Sequence, residues 1–238
     1  MITDHDLVAA SAATYGGGEA TFSGLNGTAK AFRTVVDGVA VYAFQGTHDR
    51  LGWILDAAAL PIPSQLVGFE ADHILCALEF MGLKVEAHDS AEHPDIGFVH
   101  GGIQAVLMSV WPKMWSAMQG DEKIAVTGHS LGAGCAILAT AMMVALGRPP
   151  IMAAYFAPPR VGFKKMNRLV DQVPTAAYRN GNDPVTDVPF RARPFWLYEQ
   201  RPLLRGGEPC RPPWDAHHID RYVALEESLR LASAGEPA

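Results

Sequence analysis

Five residues, Gly128-His129-Ser130-Leu131-Gly132, set a serine between two glycines in the pattern G-x-S-x-G. The five letters alone are common, so their surroundings decide their meaning. The short apolar run Lys123 to Thr127 enters the pattern, and the almost wholly apolar run Leu131 to Leu146 leaves it. The first reads as a buried parallel strand and the second as a buried helix that Gly147 ends. A turn this tight needs small residues on both sides, and it lifts the serine hydroxyl above the sheet beside the helix N-terminus. That hydroxyl is a poor nucleophile until a histidine takes its proton, and the histidine needs a carboxylate to orient it. On such elbows the partners follow the serine in the chain, acid before histidine. Downstream of Ser130 stand only His217 and His218, so the base is one of these two. The acid candidates are Asp171, Asp183, Asp187, Glu199, Glu208 and Asp215. Asp183 lies in Asn180-Gly181-Asn182-Asp183-Pro184-Val185, a loop after a strand, from which a carboxylate could point at the histidine.

Such groups need a frame. Thr3 with Asp6 has the form of a capping box opening a helix to about Tyr15, and Gly16-Gly17-Gly18 breaks it. That triplet is no nucleotide loop, because no strand precedes it and no Gly-Lys-Ser/Thr follows. Ala31 to Val36 and Val39 to Phe44 are β-rich and joined by Asp37-Gly38, the type I′ hairpin signal. Between Leu51 and Asp95, Pro61 and Pro63 forbid a long helix, while Gly68 to Met81 has helical periodicity. Phe98 to Met118 predicts a helix with a break near Pro112. Ile151 to Phe156, Ala176 to Arg179 and Pro194 to Glu199 predict strands, and Ile219 to Leu231 an amphipathic C-terminal helix. Strands alternating with helices predict an α/β fold: a largely parallel central sheet flanked by helices, with an N-terminal antiparallel hairpin.

Bulk properties agree. The chain has 238 residues, 49% hydrophobic and 18% charged, which fits one domain over 1–238 and excludes disordered and fibrous classes. The net charge of −6 argues against a nucleic-acid partner, which would demand a basic face. Cys76, Cys135 and Cys210 form neither a disulfide framework nor a metal or redox motif. The start, Met1 to Asp6, is acidic where a signal peptide is basic, and no proper apolar segment follows. As given, the chain reads as cytoplasmic, or as secreted if a leader has been removed. No stretch approaches 18 uninterrupted apolar residues, so no transmembrane segment is expected.

From here the sequence resembles the fungal-type (class 3) lipase family. Val126 to Gly134 resembles that family's nucleophile segment almost letter for letter. Val41 to Thr47, ending Phe44-Gln45-Gly46-Thr47, is similar to its oxyanion strand, with Trp53 and Asp56 in the W-x-x-D that follows. Val99-His100-Gly101-Gly102, Phe156 to Gly162 and Asn182-Asp183-Pro184-Val185 through Pro189 resemble its remaining segments, in the family's order. Gln45, Gly102, Ala157 and Thr186 depart from the usual residues, and none removes a catalytic atom. The resemblance implies an α/β-hydrolase fold and a carboxylic ester hydrolase, a lipase or esterase that needs no cofactor and no metal. It assigns Ser130 as nucleophile, Asp183 as acid, a C-terminal histidine as base, and the N–H groups of Leu131 and Thr47 as oxyanion hole. The family-like register H-x-I-x-x-Y fits His217 through Tyr222 when His217 is the base. It also places a lid over the acyl pocket in the insertion 57–97, and implies a small ester or lipid substrate with transient contact at a lipid interface.

Other clusters read as structural. His88, His93 and His100 with Asp89 and Asp95 fit no zinc spacing and are expected in a solvated polar loop. His129 is expected to pack or hydrogen-bond, the Met and Trp residues from Met108 to Met118 to form core or pocket wall, and Arg191, Arg193 and Arg201 to form a solvated face. Acyl transfer or thioester hydrolysis would use the same triad. A catalytically silent binding module would lack a triad member, and none is missing.

Overall fold

The computed structural model describes residues 1–27, 29–46, 61–64, 94–190 and 198–234. Most of the expected lid, the helical periodicity of 68–81, Thr47, Trp53, Asp56 and Cys76 lie outside these residues. In chain order the elements are α1 (Asp4–Ala13), β1 (Phe22–Gly24), β2 (Ala29–Val36), β3 (Val39–Phe44), β4 (Pro61–Pro63), β5 (Phe98–His100), α2 (Gly101–Met108), α3 (Trp111–Met118), β6 (Ile124–His129), α4 (Leu131–Ala145), β7 (Met152–Phe156), α5 (Lys164–Val170), β8 (Thr175–Asn180), β9 (Leu204–Gly206) and α6 (Ile219–Ala234).

The main sheet runs β1-β2-β3-β6-β7-β8-β9. Asp37 and Gly38 both take positive φ, 51° and 75°, as a type I′ turn requires, so β2 and β3 pair antiparallel with Val36 opposite Val39. From β3 onward every pairing in this sheet is parallel. The expected α/β architecture is therefore present, with β1 as an unexpected third antiparallel strand at the edge. β3 and β6 are buried at every residue because helices cover both faces. Side chains alternate between those faces. Val39 and Val41 join Leu7 and Val8 of α1 and Tyr222 and Leu225 of α6. Ala40, Tyr42 and Phe44 join residues of α2, α3 and α4, among them Ile103, Met114 and Ile137. The Met and Trp residues Trp111, Met114 and Met118 are core, as expected.

Four expectations change. Phe98–His100 is a strand paired with Pro61–Pro63, not the start of a helix. The helix begins only after His100, whose extended backbone and ring cap α2 by accepting from the Ile103 N–H. His100 is fully buried rather than in a solvated loop. The expected break near Pro112 is present, with Pro112 in the first turn of α3 where a missing N–H costs nothing. Tyr198 and Glu199 belong to no strand; the last parallel strand is β9, three residues with exposed Leu204 and Arg205 that carry no apolar run. Arg201 is buried, not solvated, donating to Asp171 at 2.9 Å, Thr175 at 3.0 Å and Asn167 at 3.3 Å. Arg191 and Arg193 lie outside the described residues.

At the end of β6 the chain turns so sharply that Ser130 takes φ 61° and ψ −127°. Any Cβ on Gly128 would run into the Gly132 carbonyl, and one on Gly132 into the Phe44 carbonyl of β3. The neighbouring strand ends similarly: Ala157, after β7, has φ 52°. This is where the resembled family has glycine, and an L side chain in that region costs roughly 1–2 kcal/mol. Ala157→Gly should therefore raise stability by about 1 kcal/mol, read as a higher Tm. An unchanged or lower Tm would show that the neighbourhood already relieves the strain.

Candidate active site

Two strand ends and one turn converge. β6 delivers Ser130 on its elbow, β8 delivers Asp183 three residues past Asn180, and a 3₁₀ turn over Pro213–His217 delivers His217 just before α6. His217 Nε2 lies 2.9 Å from Ser130 Oγ, and His217 Nδ1 lies 2.8 Å from Asp183 Oδ2. A carboxylate only accepts, so Nδ1 carries the proton and Nε2 is left to receive one from the serine. His218, one residue on, is exposed. Asp187 makes ion pairs with Arg179 at 2.9 Å and Arg160 at 3.4 Å instead of approaching the histidine. Of the competing acids and bases, His217 is the one hydrogen-bonded to Ser130, and Asp183 the one hydrogen-bonded to His217.

The acid is fully buried. Burial works to raise its pKa, but the hydrogen bonds from His217, from the Tyr222 hydroxyl at 2.5 Å and from the Val185 N–H at 2.9 Å outweigh it and hold Asp183 below the usual carboxylate value. Tyr222 was visible in sequence only as the last letter of a register, and its hydroxyl caps the acid. The Asn180 side chain donates to the Ala216 carbonyl at 2.9 Å, and Asn182 exchanges hydrogen bonds with the Cys210 backbone at 3.0 and 2.8 Å. These bonds fasten the acid loop to the segment carrying His217.

Leu131 is the first residue of α4, so its N–H has no helical carbonyl to serve. Thr47, the second expected donor, lies outside the described residues, while Gly46 before it is buried. Cys135 is a buried thiol that desolvation pushes up to about 12, far from a thiolate. Among the described residues one group has ligand atoms close enough for a metal, His5 with Glu226 and Glu227, away from these three side chains on α1 and α6. His5 Nδ1 and Glu226 already share a hydrogen bond at 2.7 Å.

The sequence matches the class 3 lipase family over residues 41–192. The chain belongs to that family. Among solved structures it is similar to the nonglycosylated LIP2 lipase of Yarrowia lipolytica, at 19% identity and TM-score 0.56, with 87% of this chain and 78% of that one covered. It is also similar to a mutant form of MDLA from Penicillium cyclopium, at 20% identity and TM-score 0.53, covering 79% of this chain and 61% of that one. A mono- and diacylglycerol lipase from Aspergillus oryzae matches at 19% identity and TM-score 0.52, covering 79% and 73%. The chain thus spans about three fifths of the Penicillium protein's length, and at these identities the likeness carries the fold alone. No functionally curated protein matches the sequence. Among the described residues no helix is long and apolar enough to cross a membrane.

Within this class 3 lipase site, His129 is fully enclosed. Desolvation first, then the neighbouring His217, lower its pKa to about 3, with Asp183 and His218 also facing it. It should therefore stay neutral wherever the protein is folded at ordinary pH. A long-range 1H–15N spectrum should show His129 as one fixed neutral tautomer from pH 8 to about 4; titration near 6.5 would mean that water reaches the ring.

Proposed function

We propose that this chain is a serine hydrolase that cleaves carboxylic esters of lipid-like substrates through an acyl-enzyme. Ser130 is the nucleophile, His217 the base, Asp183 the acid, and the N–H groups of Leu131 and Thr47 the oxyanion donors. The supporting observation is the continuous pair of hydrogen bonds Asp183–His217–Ser130, on a strand-to-helix elbow, in a class 3 lipase sequence.

The chemistry follows from the tautomer. As Ser130 Oγ bonds to the ester carbon, its proton passes to His217 Nε2, and the buried Asp183 carboxylate stabilises the resulting imidazolium. The carbonyl oxygen becomes an oxyanion, to which each N–H donor contributes on the order of 3 kcal/mol. Collapse breaks the ester C–O bond and returns the proton from His217 to the departing alcohol, leaving the acyl group on Ser130. Water then repeats the sequence, giving up its proton to His217 and releasing the acid. No step needs a cofactor. A serine-directed phosphonate should add its mass at Ser130, and Ser130→Ala should lower p-nitrophenyl ester turnover at least about 10³-fold with the fold retained. A fully active alanine variant would remove the nucleophile assignment.

Tyr222 adds a second check. Its hydroxyl shares Asp183 Oδ2 with the His217 ring. Removing that donor concentrates charge on the oxygen that faces the imidazolium. Tyr222→Phe should lower kcat/KM several-fold while the fold, read by circular dichroism, is retained. A variant that keeps the parental kcat/KM would make Tyr222 a packing residue only.

A further inference from the structure

His129 is a buried titratable group that the reaction does not consume. Its Nε2 lies 2.8 Å from the backbone carbonyl of His217, and its Nδ1 lies 2.8 Å from the Tyr15 hydroxyl. The carbonyl can only accept, so Nε2 carries the proton and Nδ1 is the acceptor. Tyr15 must then donate to Nδ1. Its oxygen in turn receives the Gly46 N–H at 3.1 Å. The result is a one-way chain: Gly46 N–H to Tyr15 O–H to His129, and His129 Nε2–H to the His217 carbonyl. Donors aligned in one direction polarise one another inside a dry interior.

The two ends of this chain are informative. One is the main chain of the base. The other is the last described residue before Thr47, at the close of β3. Gly46 is packed so tightly that an added Cβ would meet the Tyr15 hydroxyl, the His129 carbonyl at 2.7 Å and Ser130 Cβ at 3.1 Å. Gln45 beside it donates its side-chain amide to the Thr14 carbonyl, a second tie between the end of β3 and the segment after α1. The His129 ring also lies 4.8 Å from the His217 ring, centroid to centroid.

We propose that Tyr15 and His129 are positioning residues, setting the spacing between the oxyanion strand and the base-bearing turn across the nucleophile. The proposal rests on the hydrolase reading above. Neither residue touches substrate or exchanges a proton during turnover. Each acts through the backbone: Tyr15 holds Gly46, His129 holds His217, and the hydrogen bond between them fixes the distance. The low pKa of His129 keeps the acceptor at Nδ1 available, so the chain stays intact across the working pH range.

Tyr15→Phe removes one oxygen, leaving Gly46 N–H and His129 Nδ1 without this shared partner while the ring still packs. A small displacement of oxyanion donors relative to the nucleophile costs up to about 100-fold in rate. The expected result is a kcat for a short p-nitrophenyl ester lowered about 10- to 100-fold, with KM within twofold of the parent and phosphonate labelling of Ser130 slowed in parallel. His129→Gln retains a donor able to reach the His217 carbonyl and should lose less than His129→Leu. The order of losses, normalised to folded protein by Tm and circular dichroism, is the readout that simple destabilisation would not produce. Parental kcat and labelling rate in Tyr15→Phe, or equal losses in the two His129 variants, would overturn the proposal. A parent that neither labels at Ser130 nor hydrolyses the ester would sink the hydrolase reading itself, a result distinct from either.

Discussion

The backbone of Ser130 is held where serine does not rest of its own accord, and the geometry of the site depends on that restraint. With φ 61° and ψ −127° the residue sits in a sparsely populated region that costs of order 1–3 kcal/mol. The surrounding contacts over-determine it. Its N–H is taken by the Phe156 carbonyl at 2.9 Å, and its own carbonyl accepts from Gly134 at 3.2 Å as the first bond of α4. Gly128 and Gly132 allow β3, β6 and α4 to approach closely enough that the turn cannot relax outward. The Ser130 side chain is therefore presented by packing between buried strands. A flexible loop could not sustain the strain.

Asp183 and His217 come from irregular segments, which makes their mutual placement a separate problem. Their alignment does not rely on the hydrogen bond between them. Asn180 holds Ala216, the residue just before His217, and Asn182 holds Cys210. Tyr222 accepts from the Asn180 N–H at 3.2 Å and donates to Asp183. A fully buried carboxylate would be costly if any oxygen went unpaired, and here both oxygens have donors. The same bonds that make the charge tolerable also fix the direction in which it faces the imidazole.

Most of this frame was legible in sequence because it uses strong local signals. The Asp37-Gly38 turn, the capping box at Thr3, the apolar runs on either side of Ser130 and the glycine that ends α4 each have one physical reading, and each is present. What failed had weak or conflicting signals. β9 pairs through backbone alone with exposed side chains, so no hydrophobic period marks it. Phe98–His100 looked helical because apolar residues continue into α2, yet pairing with Pro61–Pro63 and a capping histidine decided the boundary. Arg201 looked solvated because burial of an arginine depends on partners, here Asp171, Asn167 and Thr175, that lie 26 to 34 residues away in the chain. Acid and base could be narrowed to a few candidates, but choosing among them needed either the family register or the distances. Nothing in the sequence joined Tyr15 to His129, 114 residues apart.

The match to the class 3 lipase family ends at residue 192, before the base. His217 and Tyr222 lie beyond it, and Tyr15 lies ahead of its start at residue 41. The flanks are thus part of the working frame and not appendages to it. They are also mutually braced: α1 packs with α6 on the same face of the sheet, where Leu7 and Val8 share a core with Tyr222 and Leu225, and His5 pairs with Glu226. Tyr178, on β8, donates to Asp4 at 2.6 Å and ties that pair of helices to the strand that leads to the acid. Because α6 carries Tyr222 and begins two residues after His217, a shift of α6 on the sheet would move His217 and the hydroxyl that bonds Asp183 together. Packing of the first helix against the last is in this way coupled to the alignment of the three residues at the site, although neither helix carries Ser130, Asp183 or His217.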